Sequence, residues 1–444
     1  MKDLSITDSR KLPGHGEAVQ AIAAGRRLLG IPVAWWVAIG CMFGLALGFS
    51  AVLSTVFGQF VPALSAEFGW TRAETTLAMS FANIPLLVMA PAFGFIVDRI
   101  GAWRALFFSQ VAVPLIVLSL ATLDGSLTQL YASFFLLTVL GAGTLPAAYT
   151  RVILTWFDRR RGVGFGMALS GVGLAALVLP PVIQIAIVEV GWRTALVLVG
   201  LFFLAAGMLN ALTLLRLTPR SPAEIDGGNA GEDGEEAVDH SSIDDKSGIH
   251  WRQALRGARY WVMALAHIPL GIASMGFMVN VPAILIDRSF SVGLAAAMTS
   301  TLGAALILSR LVAGWFLDHA PTRLVMAVVF TMPAIGFFVL ANASGPVDTA
   351  FGIFLVAFGL GAEFDVMAFL LSRLFGPVSY GALYGGIYAA YNIGVAIGPV
   401  YVASRFDTLG SYAEPLTLFG FLFIIAAVCL SWVAKAIPPR GARK

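Results

Sequence analysis

The chain has 444 residues, of which 58% are hydrophobic and only 12% are charged, and its formal net charge is +3. Crossing about 30 Å of hydrocarbon takes roughly 20 apolar residues in a helix, and apolar runs of that length recur along the chain. This composition excludes a soluble globular protein. The partners we expect are a lipid bilayer and small solutes, with no nucleic acid.

Twelve apolar segments follow one another along the chain. They are continuously apolar and about twice as long as the ten-residue alternating segments of a membrane β-barrel, so they predict helices. The fold class we expect is an all-α membrane protein with about 12 transmembrane helices in two pseudo-symmetric six-helix bundles. The predicted helices, numbered 1 to 12, cover residues 33–62, 73–97, 104–123, 129–156, 163–189, 193–216, 259–286, 292–317, 323–342, 348–372, 379–403 and 413–436.

The basic residues predict how the chain crosses the membrane. Positive residues stay on the cytoplasmic side of short loops, and an even number of helices puts both termini on that side. On this topology 22 of the 28 Lys and Arg residues are cytoplasmic. The other six lie within helices or face outward: Arg72, Arg151, Arg193, Arg288, Arg310 and Arg405. No cleavable signal peptide is visible, and we expect a multi-pass monomer in a bacterial inner membrane.

A polar stretch divides the chain. Residues 224–245 hold nine acids and almost no apolar side chain, which is typical of a flexible linker. A regulatory or partner-binding segment is the alternative. The predicted units are a cytoplasmic tail, a six-helix bundle, the acidic linker, a second bundle and a second cytoplasmic tail, at residues 1–32, 33–217, 218–255, 256–436 and 437–444.

The two halves repeat each other at a nearly constant offset, as in transporters built from repeats. Val61-Pro62-Ala63-Leu64 matches Val281-Pro282-Ala283-Ile284, an offset of 220. The other pairs lie at offsets of 218 to 220: Gly94 with Gly314, Asp98 with Asp318, Gly141 with Gly359, and Pro180 with Pro399. Internal repetition therefore predicts two homologous bundles.

The loop after helix 2 carries a family motif. Its sequence GFIVDRIGAWR resembles the glycine, acid and basic pattern that the major facilitator superfamily has between helices 2 and 3, and the resemblance covers residues 33 to 436. A weaker copy, GWFLDHAPTR, follows helix 8 and contains Asp318. A small residue permits close helix packing, and an acid accepts charge-assisted hydrogen bonds across a gate. The gate residues that we predict are Gly94, Asp98, Arg99, Gly101, Arg104, Asp318 and Arg151.

A finer resemblance lies at the junction of helices 4 and 5. The stretch WFDRRRGVGFGMALSG, residues 156–171, is similar to a signature of the monocarboxylate porter family. The companion signature in helix 1 is missing. The resemblance therefore places the chain among bacterial relatives of that family, near the oxalate and formate exchangers.

Arg310 in helix 8 is the first candidate for substrate binding. It lies eight residues before Asp318, hence about 12 Å from the end of the helix and near the bilayer midplane. A guanidinium presents a planar fork that matches a carboxylate. Arg310 also aligns with the arginine that binds the carboxylate in the family resembled. The alternative is a structural ion pair with an acid of helix 10, such as Asp365.

This chain lacks two charged residues that the family pattern has, and their absence restricts the class of substrate that we expect. Leu306 stands where the family has an aspartate, and Tyr391 stands where oxalate exchangers have a lysine. One central cation would neutralise a dianion poorly. The sequence therefore favours a monocarboxylate over a dicarboxylate.

Three further ionisable groups within predicted helices are candidates for proton coupling. A charge in the hydrocarbon region costs at least about 2.5 kcal/mol, which makes each such group a functional candidate. Glu363 and Asp365 are two residues apart in helix 10, so they point about 200° from each other and at most one faces a cavity squarely. A histidine side chain ordinarily changes its charge near physiological pH, so His267 in helix 7 is the third candidate. Structural pairing or helix packing remains the alternative for all three.

Aromatic and amide side chains complete the predicted site. Tyr384, Tyr388 and Tyr391 share one face of helix 11 and suit a small amphipathic carboxylate, whereas Tyr380 is expected at the membrane interface. A packing stripe is the alternative. Weaker candidates of the same kind are Tyr149 and Asn392.

The expected function is secondary transport of a small organic anion, a monocarboxylate, by alternating access with proton symport. The alternatives are an anion exchanger, a drug/proton efflux antiporter, or a transporter-like receptor without flux. No nucleotide-binding loop or nucleophile with its base is visible, so we expect no enzyme. Cys41 and Cys429 lie alone and predict no metal or redox site, hence no cofactor.

Overall fold

The computed structural model describes residues 27–28, 31–157, 160–213 and 248–437. Nearly all of the predicted N-terminal tail, most of the acidic linker and most of the C-terminal tail lie outside these residues. Before the first helix, Arg27–Leu28 and Ile31–Pro32 pair as two short antiparallel strands.

Twelve helices among the described residues are long and apolar enough to cross a membrane, which confirms the predicted fold class. Ten of them are uninterrupted in the structure. These ten are helix 2 (Arg72–Ile100), helix 3 (Ala102–Leu120), helix 5 (Arg161–Val190), helix 6 (Trp192–Leu212), helix 7 (Ala258–Asp287), helix 8 (Val292–His319), helix 9 (Thr322–Asn342), helix 10 (Pro346–Leu374), helix 11 (Tyr380–Leu409) and helix 12 (Ala413–Ala434).

Helices 1 and 4 are interrupted, although the sequence predicts each as one piece. Helix 1 consists of Val33–Ala46, then Phe49–Ala51, a π turn at Val52–Val56, and Phe57–Phe68. Helix 4 consists of Leu127–Gly141, a 3-10 turn at Ala142–Thr144, and Pro146–Trp156.

The two interruptions lie against each other and share a hydrogen bond. Pro146 has no backbone N–H, so the residue before it is extended and helix 4 restarts at the proline. Gly48 is extended in helix 1, and the freed N–H of Phe49 donates to Thr144 Oγ1 at 2.9 Å. The prediction of continuous helices was wrong because hydropathy does not register a local break whose backbone groups are satisfied by a neighbouring helix.

The two halves repeat one hydrogen bond between side chains at an offset of 220. In the first half, Trp192 Nε1 donates to Glu67. In the second half, the Tyr412 hydroxyl donates to Asp287 at 2.7 Å. Each bond joins the start of the sixth helix of its half to the end of the first. The internal repeat seen in the sequence therefore extends to side-chain contacts.

Glycines bring the two halves into contact. A Cβ at Gly94 in helix 2 would overlap the backbone of Gly381 in helix 11, and a Cβ at Gly166 in helix 5 would overlap the carbonyl of Arg310 in helix 8. Helix 2 therefore packs closely on helix 11, and helix 5 packs closely on helix 8. These two pairs position the ionisable residues of helices 8, 10 and 11.

Candidate functional site

Asp98 joins the two halves at one end of the molecule. Its Oδ1 accepts from the N–H of Gly381 at 3.1 Å, and its Oδ2 accepts from the N–H of Ala382 at 3.0 Å. Arg151 in helix 4 forms an ion pair with Asp98 and donates to the carbonyl of Pro377 at 3.3 Å. A carboxylate at a helix N-terminus is stabilised by free N–H groups and by the helix dipole, so Asp98 fastens helix 2 to helix 11.

Asp318 makes the corresponding contact between helices 8 and 5. Its two oxygens accept from the N–H of Gly162 at 3.0 Å and from the N–H of Val163 at 2.8 Å. The acids are 220 residues apart and the donors are 219 apart, so the two contacts are related by the internal repeat. We call the end of the molecule that contains Asp98 and Asp318 the gate end. In this structure the two halves are joined there.

Three other predicted gate residues lie close to Asp98 in the chain. Gly101 joins helices 2 and 3 at φ 87°, a conformation in which a side chain would be strained. Arg104 is exposed in the first turn of helix 3, and Arg99 is exposed beside a cavity at the gate end. The motif therefore supplies one carboxylate, a turn and surface charge.

Arg310 and Asp365 form the central ion pair of the second half. Arg310 Nη1 lies 3.7 Å from Asp365 Oδ1, and the two side chains are 9% and 0% exposed. This distance is too long for a hydrogen bond. Neither Nη1 nor either Asp365 oxygen has a hydrogen-bond partner among the described residues. The pair is therefore buried but loosely joined.

Glu363 points to a different side of helix 10 from Asp365, and both of its carboxylate oxygens accept hydrogen bonds. Its Oε1 accepts from the hydroxyl of Tyr391 at 2.9 Å, and its Oε2 accepts from Ser274 Oγ at 3.0 Å. As the helical spacing predicts, Glu363 points to helices 7 and 11, whereas Asp365 points to helix 8. Ser274 was missed by the sequence interpretation, because one serine in an apolar helix carries no signal until its neighbour is known.

The tyrosines of helix 11 form a continuous row. The ring centroids of Tyr384 and Tyr388 are 6.5 Å apart, and those of Tyr388 and Tyr391 are 6.3 Å apart. Tyr388 belongs to the second half but packs against a buried apolar cluster made of first-half residues, so it lies at the interface of the halves. Tyr380 is the first residue of helix 11, at the end of the row, and its side chain is buried.

The hydroxyl of Tyr384 has no hydrogen-bond partner within the described chain, although it is buried. Asn392 donates to the carbonyl of Tyr388 at 2.7 Å, one turn back in its own helix. Tyr384 therefore retains an unused donor, whereas one donor of Asn392 is already engaged.

Two predicted residues are not part of this cluster. Tyr149 is fully buried in the first half, where its hydroxyl accepts from Gln110 Nε2 at 2.6 Å. His267 is fully buried in helix 7, and its Nδ1 lies 2.7 Å from the carbonyl of Met263. A carbonyl oxygen can only accept a hydrogen bond, so in a neutral His267 the ring proton is on Nδ1. In this state both side chains are packing residues.

Twelve membrane-crossing helices, two repeated contacts at one end and a buried cluster of ionisable side chains define a membrane transporter of the two-bundle type. The model of the Major Facilitator Superfamily matches residues 41–399. The chain belongs to the Major Facilitator Superfamily, and it is a transporter related to the monocarboxylate porters. Among the described residues, no group of three or more His, Cys, Asp or Glu side chains could hold a metal ion.

Similar proteins support this assignment over nearly the whole chain. Monocarboxylate transporter 12 of Rattus norvegicus is 23% identical over 425 residues, which cover 90% of this chain and 85% of that protein. Human monocarboxylate transporter 11 is 25% identical over 426 residues, with 91% and 84% covered. The crystal structures of the E. coli fucose:proton symporter FucP and of the human organic anion transporter MFSD10 share the fold at 14% identity, with TM-scores of 0.67 and 0.65. Each covers 90% of this chain and 98% of the chain compared.

Proposed function

We propose that this protein is a secondary active transporter of a small organic anion, a monocarboxylate, that works by alternating access and proton symport. The observation that carries the proposal is the buried, loosely joined pair of Arg310 and Asp365. Relatives named as monocarboxylate transporters support the choice of substrate class.

A substrate carboxylate competes with Asp365 for Arg310. The guanidinium can form two parallel N–H···O bonds to a carboxylate, but with Asp365 it forms none. Once the substrate occupies Arg310, Asp365 has no counter-charge and no hydrogen-bond donor in a dry environment. An isolated buried carboxylate is so costly that it takes up a proton instead. Substrate and proton therefore bind together.

Glu363 is held by two hydroxyl partners, whereas Asp365 faces Arg310 without a hydrogen bond. Loss of Arg310 to the substrate therefore affects Asp365 more than Glu363, so Asp365 is the acid that exchanges the proton. One monoanion enters with one proton, so the site has the same net charge before and after binding. A dianion would leave a negative charge uncompensated, which favours monocarboxylates.

The gate end sets the direction of access. Asp98 and Asp318 hold this end closed, so substrate reaches Arg310 from the opposite end in this state, and release requires both contacts to break. We propose that the gate end and both termini face the cytoplasm, that the membrane is a bacterial inner membrane and that the monomer is the working unit. The basic residues around the predicted cytoplasmic loops support the orientation.

The test is uptake of labelled monocarboxylates, for example lactate, pyruvate and acetate, into proteoliposomes. Uptake should be accelerated when the interior is alkaline, and it should not require internal counter-substrate. Arg310→Gln should abolish uptake, whereas Arg256→Gln, which changes an exposed arginine outside the site, should retain it. Full uptake by Arg310→Gln, or a strict need for counter-substrate, would contradict the proposal and favour a receptor-like protein or an exchanger respectively.

One observation favours a second candidate, a drug/proton efflux antiporter. Two carboxyl groups and one arginine give the cluster a net negative charge when all three are ionised, and such a site suits an organic cation. Efflux of ethidium that depends on Asp365 but survives Arg310→Gln would favour this candidate. A monocarboxylate transporter should show no ethidium efflux.

A further inference from the structure

A cavity of about 570 Å³ lies at the gate end, separate from the Arg310 cluster. It is formed by both halves, because helix 2, the segment before helix 7 and the loop before helix 11 all contribute. The lining residues are Phe95, Asp98, Arg99, His250, Trp251, Arg252, Val378 and Ser379. Nothing in transport of a carboxylate requires such a cavity.

Its wall in the second half is held in place by hydrogen bonds. The N–H of Ile249 donates to the carbonyl of Phe375 at 2.8 Å, and the N–H of Trp251 donates to Ser379 Oγ at 3.1 Å. The ring of Trp251 meets the ring of Phe95 edge to face, with centroids 5.3 Å apart. The two halves therefore touch at the cavity.

The cavity presents two arginines from opposite halves. Arg99 and Arg252 are both exposed, and neither has an ion pair with any residue in the part of the chain that the structure describes. Asp98 is also in the lining, but its charge is engaged by Arg151 and by the backbone amides of helix 11. An anion that accepts hydrogen bonds from both arginines would offset the repulsion between their positive charges.

We propose that this cavity binds the phosphate group of an anionic membrane lipid, which bridges Arg99 and Arg252 and holds the gate end closed. The cavity lies beside the last turn of helix 2 and the residues before helix 11, which is the depth of lipid headgroups. Phe95 and Val378 are 36% and 39% exposed, so they offer an apolar surface to an acyl chain. A free phosphate ion would not use that surface.

The experiment compares the full-length protein in nanodiscs of phosphatidylcholine with and without phosphatidylglycerol. Native mass spectrometry counts bound phosphatidylglycerol, and a pair of spectroscopic labels on the loops after helices 2 and 10 reports the distance across the gate end. Phosphatidylglycerol should bind and shift the population to the short distance. Arg252→Gln should weaken this binding by roughly fivefold, the contribution of one arginine near an anionic surface. Arg256→Gln removes an exposed arginine outside the cavity and should leave the binding unchanged.

Equal effects of the two variants would overturn the proposal, because they would show a general response to surface charge. Two further arms distinguish other occupants. If inorganic phosphate, added to phosphatidylcholine nanodiscs, closes the gate end as strongly as the lipid does, the lipid is the wrong source. If deletion of residues 224–245 opens the gate end and phosphatidylglycerol has no effect on either protein, the acidic segment of the chain is the occupant and the proposal fails.

Discussion

Replacement of Asp365 by asparagine should uncouple substrate binding from the proton. In the proposed mechanism the substrate carboxylate displaces Asp365 from Arg310, and the two side chains are 3.7 Å apart in the structure. With an effective dielectric constant of about 20, two unit charges at that distance attract each other by about 4 kcal/mol. Asparagine has nearly the same size but no charge, so Asp365→Asn removes this competition and leaves Arg310 free for substrate.

The expected signature is a change in the pH dependence of binding. When one proton is taken up with each monocarboxylate, the dissociation constant rises up to tenfold per pH unit above the pH at which Asp365 loses its proton. In Asp365→Asn the dissociation constant should be nearly independent of pH and close to the native low-pH value. Uptake driven by a pH gradient should be lost, while exchange of internal for external substrate should persist.

The assay is equilibrium binding of a labelled monocarboxylate that the native protein transports, measured from acid to alkaline pH in detergent, together with gradient-driven uptake and exchange in proteoliposomes. Glu363→Gln is the matched control, because it also removes one buried acid of helix 10 but leaves the pair of Arg310 and Asp365 intact. It should keep the pH slope. The reasoning is refuted if Asp365→Asn keeps the native slope, or if Glu363→Gln loses it.

Three other substitutions test the fold and the gate. Gly94→Ala places a methyl group against the helix 11 backbone and should open the gate end, measured as faster labelling of cysteines introduced there; Gly58→Ala, where the added methyl meets nothing, should not. Thr144→Val removes the acceptor for the Phe49 N–H and should lower the free energy of unfolding by about 1 to 3 kcal/mol, seen as a lower melting temperature in detergent. Burial and then the bond to the neighbouring carboxylate raise the pKa of Tyr412 above its ordinary value. A tyrosine whose pKa is raised in the folded state stabilises the fold below about pH 10, and this stabilisation is lost as the pH rises further. Between neutral and alkaline pH the melting temperature of Tyr412→Phe should therefore fall less than that of the native protein.

The sequence predicts the helices well because lipid imposes a simple requirement on composition and length. Hydropathy places most helix ends within a few residues, but it misses the breaks at Gly48 and Pro146, which depend on the contact between helices 1 and 4. Internal repetition predicts that Asp98 and Asp318 have related positions. It does not predict which amides they accept from, since those lie more than 150 residues away in the chain.

The candidate site is predicted in part. Helical spacing separates Glu363 from Asp365, and the structure places them on different sides of helix 10. Which acid meets Arg310 depends on how helices 8 and 10 are rotated, and periodicity alone does not fix that rotation. Tyr149 shows the same limit, because periodicity does not reveal that its hydroxyl turns to Gln110 inside the first half.

The two halves have matching residues at the gate end but not at the Arg310 cluster. This difference suggests that both halves take part in gating, whereas the second half alone carries the ionisable residues of the candidate site. At the offsets of the repeat, Arg310 corresponds to Ala90 and Asp365 to Ala147, so the first half has no counterpart of the central pair. Substrate and proton can then exchange within the second half without moving a charge between halves. In the proposed cycle, the change of access must break the acid-to-amide contacts, the salt bridge that joins Arg151 to Asp98 and the close glycine packing, together with ring contacts such as that of Phe95 with Trp251. If Arg310 binds the substrate as proposed, helix 8 is the direct link to that change, because the backbone of Arg310 packs on Gly166 of helix 5.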